Sequence, residues 1–297
     1  MIDSPAFGAS PRVALATCAD LPDLEPDDRL LLAPLARRGI TAEPAVWDDP
    51  AIDWAGYDLV VLRNPWDYFY RRAEFITWVH SVPRLLNAAD VVEWNTDKRY
   101  LRELSAAGVP VVPTSWVEPG DEWSPPAEAG LYVIKPAVSA GSKDTGRYDL
   151  ADADLAVAHV RRLQAAGRLV MIQPYLPAVD SYGETALLYF SSPETGEPAF
   201  SHAIRKGPML VGPDAGVAGL YVPEKITPRT PTEAEFATAR RVLAALPSGL
   251  LYARIDLIPG LDGSPVLVEV ELTEPSVFLE HDEHAADRFA AAIAARL

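Results

Sequence analysis

The sequence predicts a mixed α/β (α+β) chain: an open parallel sheet first, a small α+β unit in the middle, and an antiparallel sheet at the C-terminal end. Three observations predict it. Two short apolar runs, Val13–Cys18 and Leu59–Arg63, flank a helix-forming stretch, Asp27–Arg38, that stops at Gly39, which is a β-α-β rhythm. An apolar run, Leu131–Pro136, leads into a small-residue loop, then a helical stretch near Ala151–Ala166 and another strand reaching Gln173. Between Leu251 and Pro275, two β-rich arms enclose the turn residues Pro259, Gly260, Asp262, Gly263 and Ser264. With 297 residues the chain can bury two or three modest cores. The expected divisions are residues 1–114, 115–175 and 176–297, with the proline- and acid-rich passage Glu118–Gly130 near the first junction. Residues 1–11 are small, polar and Pro-containing, and are expected to be unstructured. A last helix is expected near Ala285–Leu297.

The C-terminal hairpin carries the clearest chemistry. Pairing Ile258 with Pro265 would set Arg254 opposite Glu269 and Asp256 opposite Leu267. One face then carries Tyr252, Arg254, Asp256, Glu269 and Glu271. The other carries only apolar residues, Val266 and Val268 among them. Three carboxylates on a core-forming hairpin are costly unless a cation binds there. Hard oxygen ligands of this kind suit Mg²⁺, which takes a few carboxylates plus substrate phosphates. Clustered acids repel when no cation is present, so removing one is expected to leave stability unchanged or raised.

A phosphate-binding partner for such an ion is readable upstream. Lys135 ends the strand Tyr132-Val133-Ile134-Lys135-Pro136, and the following loop includes Ser139, Gly141 and Ser142. Small residues let backbone N–H groups approach phosphate oxygens, and a strand-end lysine adds a point charge. The spacing is not that of a P-loop, because Arg147-Tyr148 stands where Lys-Ser/Thr would be required.

With these motifs in hand, the chain resembles the ATP-grasp superfamily in its glutathione-synthetase-like branch, from about Asn95 onward. The resemblance rests on four motifs in order: Asn95-Thr96-Asp97-Lys98, the Lys135 strand and its loop, Met171-Ile172-Gln173-Pro174-Tyr175-Leu176-Pro177, and Asp256 with Glu269-Val270-Glu271. It implies that Lys98 and Lys135 contact ATP phosphates, with Ser139, Gly141 and Ser142 in the lid loop. It implies that Gln173, Tyr175 and Leu176 receive adenine and that Asp256, Glu269 and Glu271 hold Mg²⁺, with Mn²⁺ an acceptable substitute. Pro174 has no N–H to donate, so the adenine edge would take its donor from Leu176. Glu184 is the candidate for the ribose hydroxyls. The chain departs from the family pattern after the hinge, where Gly183-Glu184-Thr185 replaces the usual Asp-x-Arg, and the loop 209–219 lacks a second arginine. The phosphoryl-facing role is therefore expected of Arg254 together with Arg205 or Lys206. Arg63, at a strand end of the kind that lines ligand crevices, is the candidate clamp for a substrate carboxylate.

The implied activity is that of an ATP-dependent ligase that activates the carboxylate of a small amino-acid-like acid as an acyl phosphate. The phrases SHAIRK, YARID and VEVELTEP resemble a compact antibiotic-biosynthesis subgroup whose known type closes O-ureido-D-serine to D-cycloserine. Two alternatives stand beside it: an intermolecular ligase forming a dipeptide or amide, and a nucleotide-binding module without turnover. Net charge is −16, from 26 basic and 42 acidic residues, with no basic stripe, so nucleic acid is not an expected partner. No apolar run is long enough to span a membrane, no export signal opens the chain, and the single cysteine, Cys18, fits a reducing cytoplasm. A homo-oligomer is compatible with these features. His281-Asp282-Glu283-His284 lacks the order and third ligand of a zinc site.

Overall fold

The computed structural model describes residues 10–128, 130–216 and 225–297, and folds them around three sheets. The expectation for residues 1–11 thus falls mostly outside the described residues, and residues 217–219 of the loop 209–219 do so as well. The first sheet is all parallel: β1 (Arg12–Thr17), β2 (Thr41–Val46), β3 (Leu59–Asn64) and β4 (Leu85–Leu86), in spatial order β2-β1-β3-β4. β1 and β3 are buried along nearly their whole length because helices cover both faces, so they read as continuous apolar runs. β2 escaped the sequence reading for the opposite reason. It is an edge strand, mostly half-exposed, and Pro44 interrupts it, which only an edge tolerates. A 3₁₀ turn (Asp28–Leu31) and the helix Leu32–Arg37 fill the connection between β1 and β2, and Gly39 ends it at φ +74°, a left-handed conformation that costs glycine nothing.

The middle sheet is antiparallel: β5 (Ser115–Val117), β6 (Tyr132–Pro136), β7 (Gly146–Tyr148) and β8 (Val170–Pro174), ordered β5-β8-β6-β7. The helix Ala153–Ala165 packs Ala156, Val160 and Leu163 against Tyr132, Ile134, Tyr148 and Val170. Apolar residues at i, i+4 and i+7 on one face of that helix make this a small separate core.

The third sheet is antiparallel, with order β11-β10-β9-β12-β13: β9 (Glu184–Ser191), β10 (Pro198–Lys206), β11 (Ile226–Pro228), β12 (Tyr252–Pro259) and β13 (Pro265–Glu271). The helices Glu233–Ala245 and Ala285–Ala294 flank it. On one face it meets the first sheet through Leu188, Phe190, Leu251 and Phe289, with Phe190 and Phe289 stacked at 4.4 Å.

The β12–β13 register corrects the sequence expectation. Pro259 pairs with Pro265, and a bulge follows, so that Leu257 faces Leu267, Asp256 faces Glu269 and Arg254 faces Glu271. Val268 is the extra residue. The bulge moves Leu267, rather than Val266 or Val268, to the core face beside Leu257, and leaves Val266 and Val268 packed with Ile258. One inserted residue preserves the acidic face and re-aims two valines. The outer edge of β13 is also covered: Leu267 exchanges backbone hydrogen bonds with the 110–112 segment, and the Asn95 side chain donates to Val270 O at 2.8 Å and accepts from Leu272 N at 2.7 Å.

Candidate active site

A cavity of about 430 Å³ opens where the three sheets converge. Lys98, Lys135, Lys206, Arg254, Glu184, Glu269 and Glu271 line it, from six different segments of chain. Each is placed by secondary structure. Asn95 and Tyr100 both clip Val270 on the edge of β13, and so the turn between them sets Lys98 over Glu269, with Nζ 3.4 Å from Oε2. Lys98 Nζ also donates to Ser139 O at 2.9 Å, tying this lysine to the loop after β6. Lys206 and Glu184 sit opposite each other across β10 and β9 and form an ion pair. Lys206 donates to Asp256 Oδ2 at 2.8 Å, while Arg254 grips Asp256 through Nε at 2.9 Å and Nη2 at 2.8 Å and reaches across to Glu271.

The three expected metal carboxylates converge. Asp256, Glu269 and Glu271 bring carboxylate oxygens within 4.8 Å of one another. An ion binding oxygens at about 2.1 Å spans ligands about 4 Å apart, and Glu269 and Glu271 are partly open to the cavity and free to close the difference. Asp256 is fully buried beneath the floor.

Electrostatics sort these groups. Burial pushes Glu269 up, but Lys98, Lys135, Lys206 and Arg254 together outweigh it and hold the carboxyl below the ordinary range. Burial raises Asp256 too, and Arg254 and Lys206 reverse that, leaving it ionised. Glu271 goes the other way: burial and the neighbouring Glu269 and Asp256 push it well above the usual range despite Arg254. Burial raises Glu184 to about 7, with Lys206 opposing and Asp256 adding. Lys135 is lowered by burial, with Lys98 adding and Glu269 opposing, and makes no ion pair within 4 Å among the described residues. A divalent cation and an anionic ligand would relieve the raised acid and the lowered lysine respectively.

The far wall of the cavity is apolar. Val112, Val133, Leu176, Ile258 and the bulged Val268 form a slot. Gln173 is anchored by its amide on Thr114 Oγ1 at 2.8 Å, and the Tyr175 N–H is taken by Leu131 O. The Leu176 N–H has no acceptor among the described residues, so it is the available donor at the slot's edge. Ser139, Gly141 and Ser142 line the cavity roof. Gly141, Ser142 and Asp144 all adopt positive φ (59°, 57° and 53°), which winds this loop tightly. A segment from the third part of the chain docks on the lid sheet beside it. Arg147 N donates to Gly212 O at 2.8 Å, Asp214 N donates to the Tyr148 hydroxyl at 3.1 Å, and Arg162 joins Asp144 to Asp214. A Cβ at Gly146 would lie 2.5 Å from Asp214 N and 2.7 Å from the Tyr148 ring.

Two expected site residues are elsewhere. Arg205 alternates away from Lys206 on β10 and donates to Tyr182 O at 2.6 Å and Ser181 O at 3.1 Å, so it is tied to a helix end outside the cavity. Arg63 is fully buried and does not reach the cavity. It donates to Asp28 Oδ1 at 2.8 Å and to Pro275 O at 2.6 Å. Its carboxylate partner is internal. Arg63→Ala should therefore cost about 3–5 kcal/mol of stability by stranding buried Asp28; wild-type stability in denaturant unfolding would contradict this structural role. The residues that line the cavity near this strand end are Trp66 and Tyr68, just beyond Arg63, together with Glu274, Ser276 and Phe278 after β13. Nothing in the spacing of these five distinguished them from packing residues.

Fold and cavity together define an ATP-grasp ligase. The comparisons carry this further. The model of the D-cycloserine synthetase DcsG N-terminal domain matches residues 13–87. The cycloserine biosynthesis protein DcsG of Streptomyces lavendulae is 40% identical over 96% of this chain and 98% of its own length. The crystal structure of D-cycloserine synthetase DcsG superimposes with a TM-score of 0.85 at 39% identity, covering 96% of this chain and 99% of the other. The chain belongs to the DcsG family of ATP-grasp ligases. At the level of fold alone, D-alanine–D-alanine ligase from Bacillus anthracis, solved with ATP, aligns over 96% of this chain and 95% of its own with a TM-score of 0.61 at 13% identity.

Proposed function

We propose that this enzyme uses ATP and Mg²⁺ to activate the carboxylate of O-ureido-D-serine and closes it to D-cycloserine. The observation that carries the reading is the convergence of three lysines, one arginine and the carboxylates Glu269 and Glu271 on one cavity, with Asp256 grouped beneath them, in a chain 40% identical to a cycloserine biosynthesis protein. Asp256, Glu269 and Glu271 would hold Mg²⁺ or Mn²⁺, an ion that neutralises charge as a phosphoryl group is transferred. Adenine fits the apolar slot, with Leu176 N–H donating to its ring edge, Gln173, Tyr175 and Glu184 nearby, and Ser139, Gly141 and Ser142 closing over the phosphates. Lys98 and Lys135 bind phosphate oxygens. Arg254 and Lys206, held in place by Asp256, face the transferred phosphoryl group and the oxyanion that forms next.

The substrate carboxylate attacks the γ-phosphorus and ADP departs, leaving an acyl phosphate. The ureido-oxy nitrogen then attacks the acyl carbon and expels phosphate, which closes the five-membered ring. Loss of that nitrogen's carbamoyl group to water completes D-cycloserine. An internal nucleophile meets the acyl phosphate at high effective molarity, so it outruns hydrolysis in a closed site. We divide the chain at residues 114 and 175 into a substrate-side part, a lid and a catalytic part, each holding one sheet. No helix among the described residues is long and apolar enough to cross a membrane. A cytoplasmic setting is supported by the demand for ATP and by Cys18, which is free and buried.

Incubation with ATP, Mg²⁺ and O-ureido-D-serine alone should release ADP and give D-cycloserine by mass spectrometry. ADP release that depends on a second, added amine would replace cyclisation by intermolecular ligation.

A further inference from the structure

Around the basic cluster of the cavity each acid has a cation: Lys206 serves Glu184 and Asp256, Arg254 serves Asp256 and Glu271, and Lys98 serves Glu269. Elsewhere on the wall, Asp27 is satisfied by the N–H groups of Leu279 and Glu280, Glu25 by the N–H of Asp27, and Glu280 is exposed beside His281 at 3.6 Å. Glu274 stands apart. It lines the same cavity three residues beyond Glu271, and no Lys, Arg or His lies within 4 Å of its carboxylate among the described residues. The Tyr68 hydroxyl lines the cavity with it and opposes the rise of its carboxyl, but a neutral phenol supplies no counter-charge.

The backbone around Glu274 is fixed from the first sheet. The indole N–H of Trp66 donates to Glu274 O at 3.0 Å, and Arg63 holds the next carbonyl, that of Pro275. Such rigidity suits a receptor, because little ordering entropy is left to lose on binding. Burial raises the Glu274 carboxyl to about 7, with Tyr68 and Lys98 opposing, which marks it as a group whose ionised form lacks a full counter-charge. An α-amino acid whose carboxyl is presented to Arg254 and Lys206 carries its ammonium one carbon away, and Glu274 is the cation-free acid nearest in sequence to that end of the site.

We propose that Glu274 is the receptor for the α-ammonium of the amino-acid-like substrate, with Tyr68 orienting its carboxylate. This rests on the carboxylate-activating reading above, and it assigns the feature that makes the acid an amino acid rather than a simple carboxylic acid. The arginine proposed from sequence for substrate recognition, Arg63, then acts one step removed, by holding the loop that carries Glu274.

Two measurements separate this inference from the cyclisation reading. Calorimetry with a non-hydrolysable ATP analogue and Mg²⁺ present measures affinity for O-ureido-D-serine and for its desamino analogue, 3-(ureidooxy)propanoic acid. Wild type should prefer the amino acid by about 30-fold or more, the scale expected for losing one partner of a buried charge pair. Glu274→Gln should lose that preference, binding both acids at the weaker level, while its affinity for the ATP analogue stays within about twofold, which also reports an intact fold. Tyr68→Phe should narrow the preference without abolishing it. Equal affinity of wild type for the two acids would overturn the assignment. So would a Glu274→Gln variant that keeps the preference, or one that loses kcat on both acids with affinities unchanged, which would make Glu274 a proton acceptor instead. Failure to form a ring while the preference and its loss are observed would sink cyclisation and leave the ammonium receptor standing.

Discussion

Glu269→Gln will reduce ADP release by about a thousand-fold or more while leaving the fold intact. Removing one ligand carboxylate weakens the ion and its neutralisation of the transferred phosphoryl group, an effect of several kcal/mol, and about 4 kcal/mol is a thousand-fold in rate. Glu269 also pairs with Lys98 at 3.4 Å, so its loss loosens that phosphate contact as well. Near-normal turnover in a coupled ADP assay with Mg²⁺ would remove Glu269 from the metal set. Stability should fall modestly rather than rise. The simple repulsion expected from the sequence is outweighed by the four cations that hold this carboxyl ionised.

Asp256→Asn will be the most destabilising single change at the site, at about 3–5 kcal/mol, because it strands Arg254 and Lys206 beside a fully buried position. Glu271→Gln should be neutral or slightly stabilising in metal-free protein. The pH dependence has opposite signs for the two. Asp256 is depressed on folding, so its contribution is present above the ordinary carboxylate pKa and lost as pH falls through its lower folded value. Glu271 is raised, so the folded protein keeps a proton that the unfolded chain has released. Stability therefore declines as pH rises from the ordinary carboxylate pKa to the higher folded one. Thermal unfolding in EDTA across pH 3 to about 8 reads both effects. Glu184 and Glu274 are raised as well and add to the same decline, so Glu271→Gln should make it smaller without removing it. An Asp256→Asn protein as stable as wild type, or a Glu271→Gln protein whose high-pH decline equals that of wild type, would contradict these assignments.

The parts legible in the sequence were those written in short-range pattern. The apolar runs of β1 and β3 and the alternation of Arg254, Asp256, Glu269 and Glu271 announced sheets and an acidic face, and both are present. The bulge at Val268 was not legible, because it depends on the backbone of Pro110–Val112 docking along the outer edge of β13. A contact between segments so far apart leaves no mark on local periodicity. Arg205 and Lys206 were an unresolved pair in the sequence, since neighbouring basic residues look alike until strand pleating sends them to opposite sides. Arg63 misled for a similar reason: an arginine at a strand end has the chemistry of a carboxylate clamp whether the carboxylate is a ligand or Asp28. Glu274 lay inside a recognised phrase and still passed unnoticed, because the absence of a counter-ion is a property of space and not of order along the chain.

Gly146 has a consequence for how this protein can change over generations. At this position the lid strand and the docked Asp214 backbone come so close that any side chain would meet that N–H and the Tyr148 ring. The two segments lie far apart in the gene but cannot drift independently. A substitution at position 146 becomes tolerable only after the 212–214 stretch has moved off the lid or Tyr148 has been replaced. Residues 146, 148 and 214 are thus expected to be inherited as a set, so a designer who grafts the lid of one relative onto another should transfer all three together.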